Sequence, residues 1–219
     1  MPANRYPIIA RESLPFLIAG FLIAVIAQIL FGIIAFVICI LAFVLLIYLF
    51  RDPYRDIPPQ PLAVLSPVYG VVTLVEEAEE VFLKTRAIRI QIDTRIWDPY
   101  SLRSPIEGKL CQHWCSAPDA NESRRHFDFH IKSDEGDDVV TAIRLRDIIP
   151  HFHVYLHSGE RVGHGQRCGY IFFGGLTDIF LPLECKVHVE EGDYVQSGSS
   201  ILAQLIHSES TTAIKDKVE

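Results

Sequence analysis

Charge is missing from one long stretch of this chain. Residues Leu14 to Phe50 carry no charged side chain, and the run stops abruptly at Arg51-Asp52-Pro53-Tyr54-Arg55. At about 1.5 Å rise per residue, roughly 37 helical residues reach ~55 Å, against a hydrocarbon core of ~30 Å. One straight span would leave nearly half of the run unused. Two spans of about 17–18 residues folded back as a hairpin fit better, and Gln28 and Gly32 near the middle are the natural turn. A signal peptide is a poor reading, since its apolar core is only about 7–15 residues and is followed by a small-residue cleavage site. A helix pair from a soluble core would carry a polar stripe, and none is present. Arg5 and Arg11 precede the run and Arg51 and Arg55 follow it, so both ends prefer the cytoplasmic side. The expectation is an inner-membrane hairpin with the rest of the chain in the cytoplasm.

Other absences narrow the function. There is no basic stripe, and the net charge is −7, so nucleic acid is not expected as a partner. The acidity sits in Glu76-Glu77-Ala78-Glu79-Glu80 and Asp134-Glu135-Gly136-Asp137-Asp138, which read as solvated surface loops. The cysteines, Cys39, Cys111, Cys115, Cys168 and Cys185, are odd in number and scattered. They make no disulfide framework, and in a cytoplasmic domain they are reduced thiols. No long amphipathic helix follows the hairpin.

What is present after the hairpin is strand after strand. Val71 to Val75 follows the turn Ser66-Pro67-Val68-Tyr69-Gly70, and Ala87 to Ile92 alternates with period two. Lys109-Leu110-Cys111 follows the turn Ser104-Pro105-Ile106-Glu107-Gly108, and Phe127 to Ile131 and Val139 to Leu145 alternate again. Further strands are expected at His151 to Leu156, Tyr170 to Phe173 and Asp178 to Leu181. The fold class is mostly β, a barrel or sandwich, preceded by an α-helical transmembrane hairpin. The expected boundaries are 1–13 cytoplasmic N-terminus, 14–50 hairpin, 51–62 juxtamembrane linker, 63–207 β domain and 208–219 flexible tail.

Two segments repeat. Glu191-Gly192-Asp193-Tyr194-Val195-Gln196-Ser197-Gly198 is matched about 33 residues earlier by Ser158-Gly159-Glu160-Arg161-Val162-Gly163-His164-Gly165. Each resembles the half-motif of lipoyl- or biotinyl-type barrels, in which glycines supply positive φ and the valine plugs the core. The repeat implies a pseudo-symmetric barrel. No lysine stands at the hairpin tip, which excludes a swinging-arm carrier.

The ordered motifs resemble the short bacterial and archaeal type of phosphatidylserine decarboxylase along nearly the whole chain. Tyr6-Pro7-Ile8-Ile9-Ala10-Arg11 stands before the hairpin as in that family, and Leu49 to Arg55 resembles its "FFRDPxR" junction. Ser66 to Gly70 resembles "SPADG", Arg103 to Gly108 resembles "HVNRxPxDG", and Asn121 to Arg124 is similar to "NER". Gly165 to Pro182 resembles "GxRxGxIxFGSRVDxxLP". The resemblance implies a self-processing enzyme. In that family a serine attacks the preceding carbonyl, elimination splits the chain, and the new N-terminus carries a pyruvoyl group that serves as electron sink for decarboxylation. An Asp and a His assist the serine in the manner of a protease triad.

This chain departs at each of those positions. The serine position is Gly175, the Asp of "SPADG" is Tyr69, the His falls at Tyr100, and the Arg after the serine is Leu176. Glycine has no β-carbon leaving group, so the expectation is that no pyruvoyl cofactor forms and no catalytic residue is intact. Thr177 and Cys168 are the alternative nucleophiles, but either requires a register slip that flips a whole strand. Tyr69, Tyr100 and Trp97 are expected to fill the emptied space. Arg51, Arg55 and Arg103 are the lipid-binding candidates, the first two at headgroup level, and Arg124-Arg125 offers a weaker phosphate contact.

His151, His153 and His157, with Tyr155, share one face of a presumed strand, as do Cys111, His113 and Cys115. Each set offers metal ligands, but neither supplies the usual four, so no metal is expected. The leading expectation is a non-catalytic family member in phospholipid metabolism that binds membrane phospholipid, an active decarboxylase or a second copy of itself. The alternatives are an active phosphatidylserine decarboxylase matured by an unusual residue, and a structural scaffold.

Overall fold

The structure, a computed structural model, describes residues 13–53, 55–80, 85–116, 126–146 and 152–206. Tyr6 to Arg11, Asn121 to Arg125, His151 and the tail expected at 208–219 lie outside the described residues.

The uncharged run forms two helices, α1 (Leu14–Phe31) and α2 (Ile33–Leu49). Pro15 falls in the first turn of α1, where a missing N–H costs nothing. Gly32 alone separates the helices, in the left-handed region at φ 77°, with its N–H donating to the Gln28 carbonyl. The helices run back along each other: a Cβ on Gly20 would lie 3.3 Å from both Phe43 and Leu46, and Phe21 meets Phe43 at 6.3 Å. Their outer faces stay open, with Ile29, Phe31 and Ile34 about three-quarters exposed. An apolar surface of that size calls for an apolar surrounding. α1 is long and apolar enough to cross a membrane, and α2 is a shorter apolar helix.

Among the described residues the rest is β. The strands are β1 (Ala63–Leu65), β2 (Gly70–Glu80), β3 (Thr85–Thr94), β4 (Ser101–Arg103), β5 (Gly108–Ser116), β6 (His126–Lys132), β7 (Asp138–Leu145), β8 (Phe152–Val154), β9 (Arg161–Val162), β10 (Arg167–Ile171), β11 (Gly175–Pro182), β12 (Cys185–Val187), β13 (Tyr194–Val195) and β14 (Ile201–Leu205). One sheet has eight strands in the order β13-β2-β3-β11-β7-β6-β5-β9. Two three-stranded sheets run β1-β14-β12 and β4-β10-β8. Between them lies a continuous apolar core that includes Ile90, Ile92, Leu110, Phe129, Ile131, Ile179 and Leu202.

The strand orders reveal a pseudo-twofold. β13, β2, β3 and β11 correspond to β9, β5, β6 and β7, and the two small sheets correspond strand for strand. The backbone repeats in detail. The Ser66 N–H donates to the Ser200 carbonyl and the Ser104 N–H to the Gln166 carbonyl, both at 2.8 Å. The Gly192 N–H donates to Val72 and the Gly159 N–H to Leu110, again both at 2.8 Å. The repeated turns behave as expected: Gly159, Gly165, Gly192 and Gly198 all have positive φ, and Val162 and Val195 are buried in the core. The second half, β4 to β10, is continuous in sequence and inserted between β3 and β11 of the first.

Two expectations need correction. Glu76 to Glu80 is no loop but the outer half of β2, and Glu80 is only 1% exposed; the cross-strand pairing with β3 continues to its end. The strand expected at His151 to Leu156 is only Phe152–Val154, paired with β10.

At Gly70 and Gly108, each opening a long strand, the facing strand comes too close for a side chain. A Cβ would lie 2.4 Å from the Asp93 carbonyl oxygen in one half and 2.1 Å from that of Lys132 in the other. Gly108→Ala should therefore lower stability by about 1–3 kcal/mol through overpacking, more than Gly159→Ala, whose Cβ meets open space. Thermal unfolding in detergent measures both, and the reverse order would contradict the close approach.

Candidate functional site

The hairpin stands on an aromatic block. Phe50, just past α2, lies 5.7 Å from Phe16, 6.2 Å from Tyr100, 6.1 Å from Phe172 and 6.3 Å from Phe173. Tyr170 completes it, 5.8 Å from Tyr100 and 5.0 Å from Phe172. The block gathers both ends of the hairpin, the loop before β4, and the turn from β10 to β11. That turn is tight: Phe173 (φ 62°) and Gly174 (φ 72°) are successive left-handed residues. A phenylalanine is rarely found there and is held by its packing.

Behind the aromatics lies a buried polar cluster. Asp52 and Arg167 form an ion pair, Nε to Oδ2 3.4 Å, with side chains 1% and 4% exposed. The Arg167 guanidinium also lies over the Tyr170 ring at 5.6 Å. Arg103 is buried, donates to the Gly165 carbonyl at 3.3 Å, and packs so tightly on Gly198 that a Cβ there would lie 2.5 Å from its Cδ. Tyr69 is buried among Arg55, Arg103 and Asp52. Burial raises its pKa above the usual phenol value, against the nearby charges of Arg103 and Arg55. The motif residues Asp52, Arg103 and Arg167 thus form one cluster. Sequence reading left Asp52 and Arg167 unassigned, although a charge kept inside an apolar junction was the available signal.

Three of the four departing positions, Tyr69, Tyr100 and Gly175, also lie close by. Thr94 donates to the Tyr69 carbonyl at 2.6 Å, and Thr94 pairs with Gly175 across β3 and β11. Tyr100 packs at a tilt against Phe173, two residues before Gly175, and its hydroxyl donates to the Ile96 carbonyl. Burial and the Asp98 charge push the Tyr100 pKa up to about 12. Gly175 is enclosed: a Cβ would lie 2.3 Å from the Arg144 carbonyl oxygen. Tyr69 and Tyr100 fill buried space as expected. Trp97 does not; its ring points outward and is 57% exposed, because Ile96 and Asp98 on either side are tied to the body of the loop.

Of the lipid-binding candidates, Arg55 and Arg103 meet at Tyr69, while Arg51 turns back over the Tyr48 ring at 4.0 Å and donates to the Tyr48 carbonyl. Of the metal sets, His151 and the Cys115 side chain lie outside what the structure describes. His153 lies exposed beside Tyr155, and His157 lies beyond β8, 3.5 Å from Glu160. The register of β5 shifts at Cys111, which breaks its alternation with His113, whose Nδ1 meets Ser158 at 2.9 Å. Among the described residues no three His, Cys, Asp or Glu side chains are grouped to hold a metal.

Two further carboxylates matter away from the hairpin. Asp178, inside the longest motif, takes hydrogen bonds from Arg89 at 3.0 Å, Gln91 at 2.8 Å and Arg144, clamping β3, β11 and β7 together. Asp128 on β6 has its pKa pushed up to about 6, first by burial and slightly by Glu80, against His126, Arg144 and the Ile143 backbone.

The chain belongs to the phosphatidylserine decarboxylase family. The family model described as phosphatidylserine decarboxylase matches residues 103–203, from the end of β4 into β14. The phosphatidylserine decarboxylase proenzyme of Nitrosomonas eutropha is 33% identical, over 91% of this chain and 96% of its own length. The proenzyme of Nitrosomonas europaea is 32% identical over 93% and 98%, and that of Paraburkholderia xenovorans 31% identical over 91% and 98%. No solved structure matches the chain.

Asp52→Ala should cost about 3–5 kcal/mol by removing the buried ion-pair partner of Arg167. Glu76→Ala, which breaks only an exposed pair with Arg89, should cost less than about 1 kcal/mol. Thermal unfolding in detergent compares them. The folded-state pKa of Asp128 lies above the ordinary 3.8, so its ionised form opposes folding. That penalty grows as pH rises from about 4 to about 6 and is absent at lower pH. Asp128→Asn should raise stability above pH 6 by an amount on the order of 2–3 kcal/mol, with the gain vanishing below pH 4; a pH-independent difference would refute this.

Proposed function

We propose that this protein is a membrane-anchored, non-catalytic member of the phosphatidylserine decarboxylase family that holds phospholipid rather than decarboxylating it. The observation that carries the reading is Gly175. The family's cofactor derives from a serine at this position, and glycine offers neither a hydroxyl to attack the preceding carbonyl nor a β-substituent to eliminate. The surroundings agree, because the Arg144 carbonyl occupies the space a Cβ would need. The residues present therefore do not fit a pyruvoyl group.

The substitutes are no better placed. Thr177 is buried in mid-sheet, between Ile92 and Ile143. Cys168 is buried with its thiol pKa pushed up to about 12 and its Sγ directed to the Gln166 carbonyl, so it stays protonated and unreactive. What the chain retains is the anchor and the cationic cluster beneath it. Arg55 and Arg103, with Asp52 compensating only part of their charge, suit the phosphate of a lipid headgroup. The two helices then cross the inner membrane as a hairpin, with the β domain on the cytoplasmic side, and a second copy or an active decarboxylase is the candidate protein partner. The active-enzyme reading would need a covalently processed chain, which makes the two separable.

Intact-mass analysis with a denaturing gel, on protein extracted in mild detergent, tests this directly. A single uncut chain with co-purifying phosphatidylserine or phosphatidylethanolamine is expected. Two fragments with a ketoacyl cap on the new N-terminus would falsify the reading. Gly175→Ser alone should also stay uncut and should lower stability.

A further inference from the structure

We infer that the loop of residues 95–100 is a second contact with the lipid bilayer, in which the Trp97 indole lodges in the headgroup layer beside the foot of α2. This rests on the hairpin being embedded in a membrane, and it adds a surface of the β domain that the hairpin does not require.

A single exposed aromatic residue is ordinary on a protein surface. Three observations make this one different. The first is rigidity. The Asp98 carboxylate accepts the Arg95 N–H at 3.0 Å and the Tyr194 hydroxyl at 2.8 Å, and the Tyr100 hydroxyl closes on the Ile96 carbonyl. The loop is pinned on both sides of Trp97, so the ring cannot fold back onto the protein and stays 57% exposed. The second is position. Tyr100, three residues on, packs on Phe50 where the apolar hairpin ends, so the loop sits at the level where hydrocarbon gives way to headgroups. The third is company. Tyr48, in the last turn of α2, is half exposed under the Arg51 guanidinium, and Arg95 is exposed in the loop itself. Indole and phenol rings with arginines are the side chains that settle at this depth, each with an apolar body and a polar tip.

The geometry also limits the contact. Tyr194 is half exposed but is preceded in the chain by the exposed Glu190, Glu191 and Asp193, which anionic headgroups repel. The contact therefore centres on Trp97 rather than on Tyr194. In this orientation the Phe172-Phe173-Gly174 turn and the cationic cluster behind it face the membrane rather than the cytoplasm.

The chain has two tryptophans, Trp97 and Trp114, so a single substitution isolates the probe. Full-length Trp114→Phe is reconstituted into vesicles of phosphatidylethanolamine and phosphatidylglycerol. Its fluorescence is quenched either by phospholipids brominated near the glycerol end of the acyl chain, by phospholipids brominated near the methyl end, or by aqueous iodide. The expected result is severalfold stronger quenching by the shallow bromines than by the deep ones, with little quenching by iodide. Because Trp114→Phe alters a β5 side chain, the same profile is read as the difference between wild type and Trp97→Ala. Vesicle flotation of both variants checks the anchor separately. If the protein floats but Trp97 is quenched by iodide and not by bromine, the loop contact is wrong and the anchor stands. Shielding from both quenchers means that a protein surface covers Trp97, which also overturns the proposal. Loss of flotation overturns the anchor itself.

Discussion

Asp52 is the first acidic residue after a stretch of nearly forty uncharged positions, and it is buried against Arg167 from the far end of the sequence. An ion pair removed from water this completely is not a source of net stability, since desolvation offsets most of its attraction. Its importance is in what it forbids. If the foot of the hairpin moves away from β10, this pair is pulled apart inside a buried surrounding. The aromatic block of Phe16, Phe50, Tyr100, Tyr170 and Phe172 meets this pair at Tyr170, whose ring lies under the Arg167 guanidinium. Together they fix the direction in which the β domain hangs from the hairpin, and with it the placement of the turn around Gly174.

Much of the architecture was legible from local pattern. The absence of charge between Leu14 and Phe50 and the lone Gly32 determined two back-to-back helices. Period-two alternation located most strands, and the repeated Gly-x-x-Val pattern located the two turns whose glycines need positive φ. What the pattern missed was decided by distant chain. Glu80 looks like part of a solvated acidic run, yet β3 carries it into a buried position at the end of a long hairpin. Trp97 reads as filler for an emptied pocket, yet the hydrogen bonds of its neighbours turn it outward. Cys111 and His113 lose their shared face to one irregular step in β5.

The candidate site was half legible for the same reason. The missing hydroxyl at Gly175 is visible in the sequence. The closeness of the Arg144 carbonyl is not, because it arises from the pairing of β11 with β7. The retained charges were visible as motif letters, but their roles emerged only from contact: Asp52 with Arg167, Arg55 and Arg103 around Tyr69, and Asp178 gripping three strands. The family relationship is thus expressed here mainly through residues that hold the fold and its junction with the hairpin.

The nested order of the two halves has a consequence for how the chain comes together. The inserted half has all of its strands in one continuous stretch, so its contacts are comparatively local and its search is short. The outer half is split, with β1 to β3 emerging first and β11 to β14 last. Until the final segment arrives, β3 presents a long unpaired edge, the kind of template that invites wrong partners. Closure of the larger sheet by β11, the strand that begins with Gly175, is then the event that completes assembly, and a bulkier residue at that first position would obstruct the last seam to form.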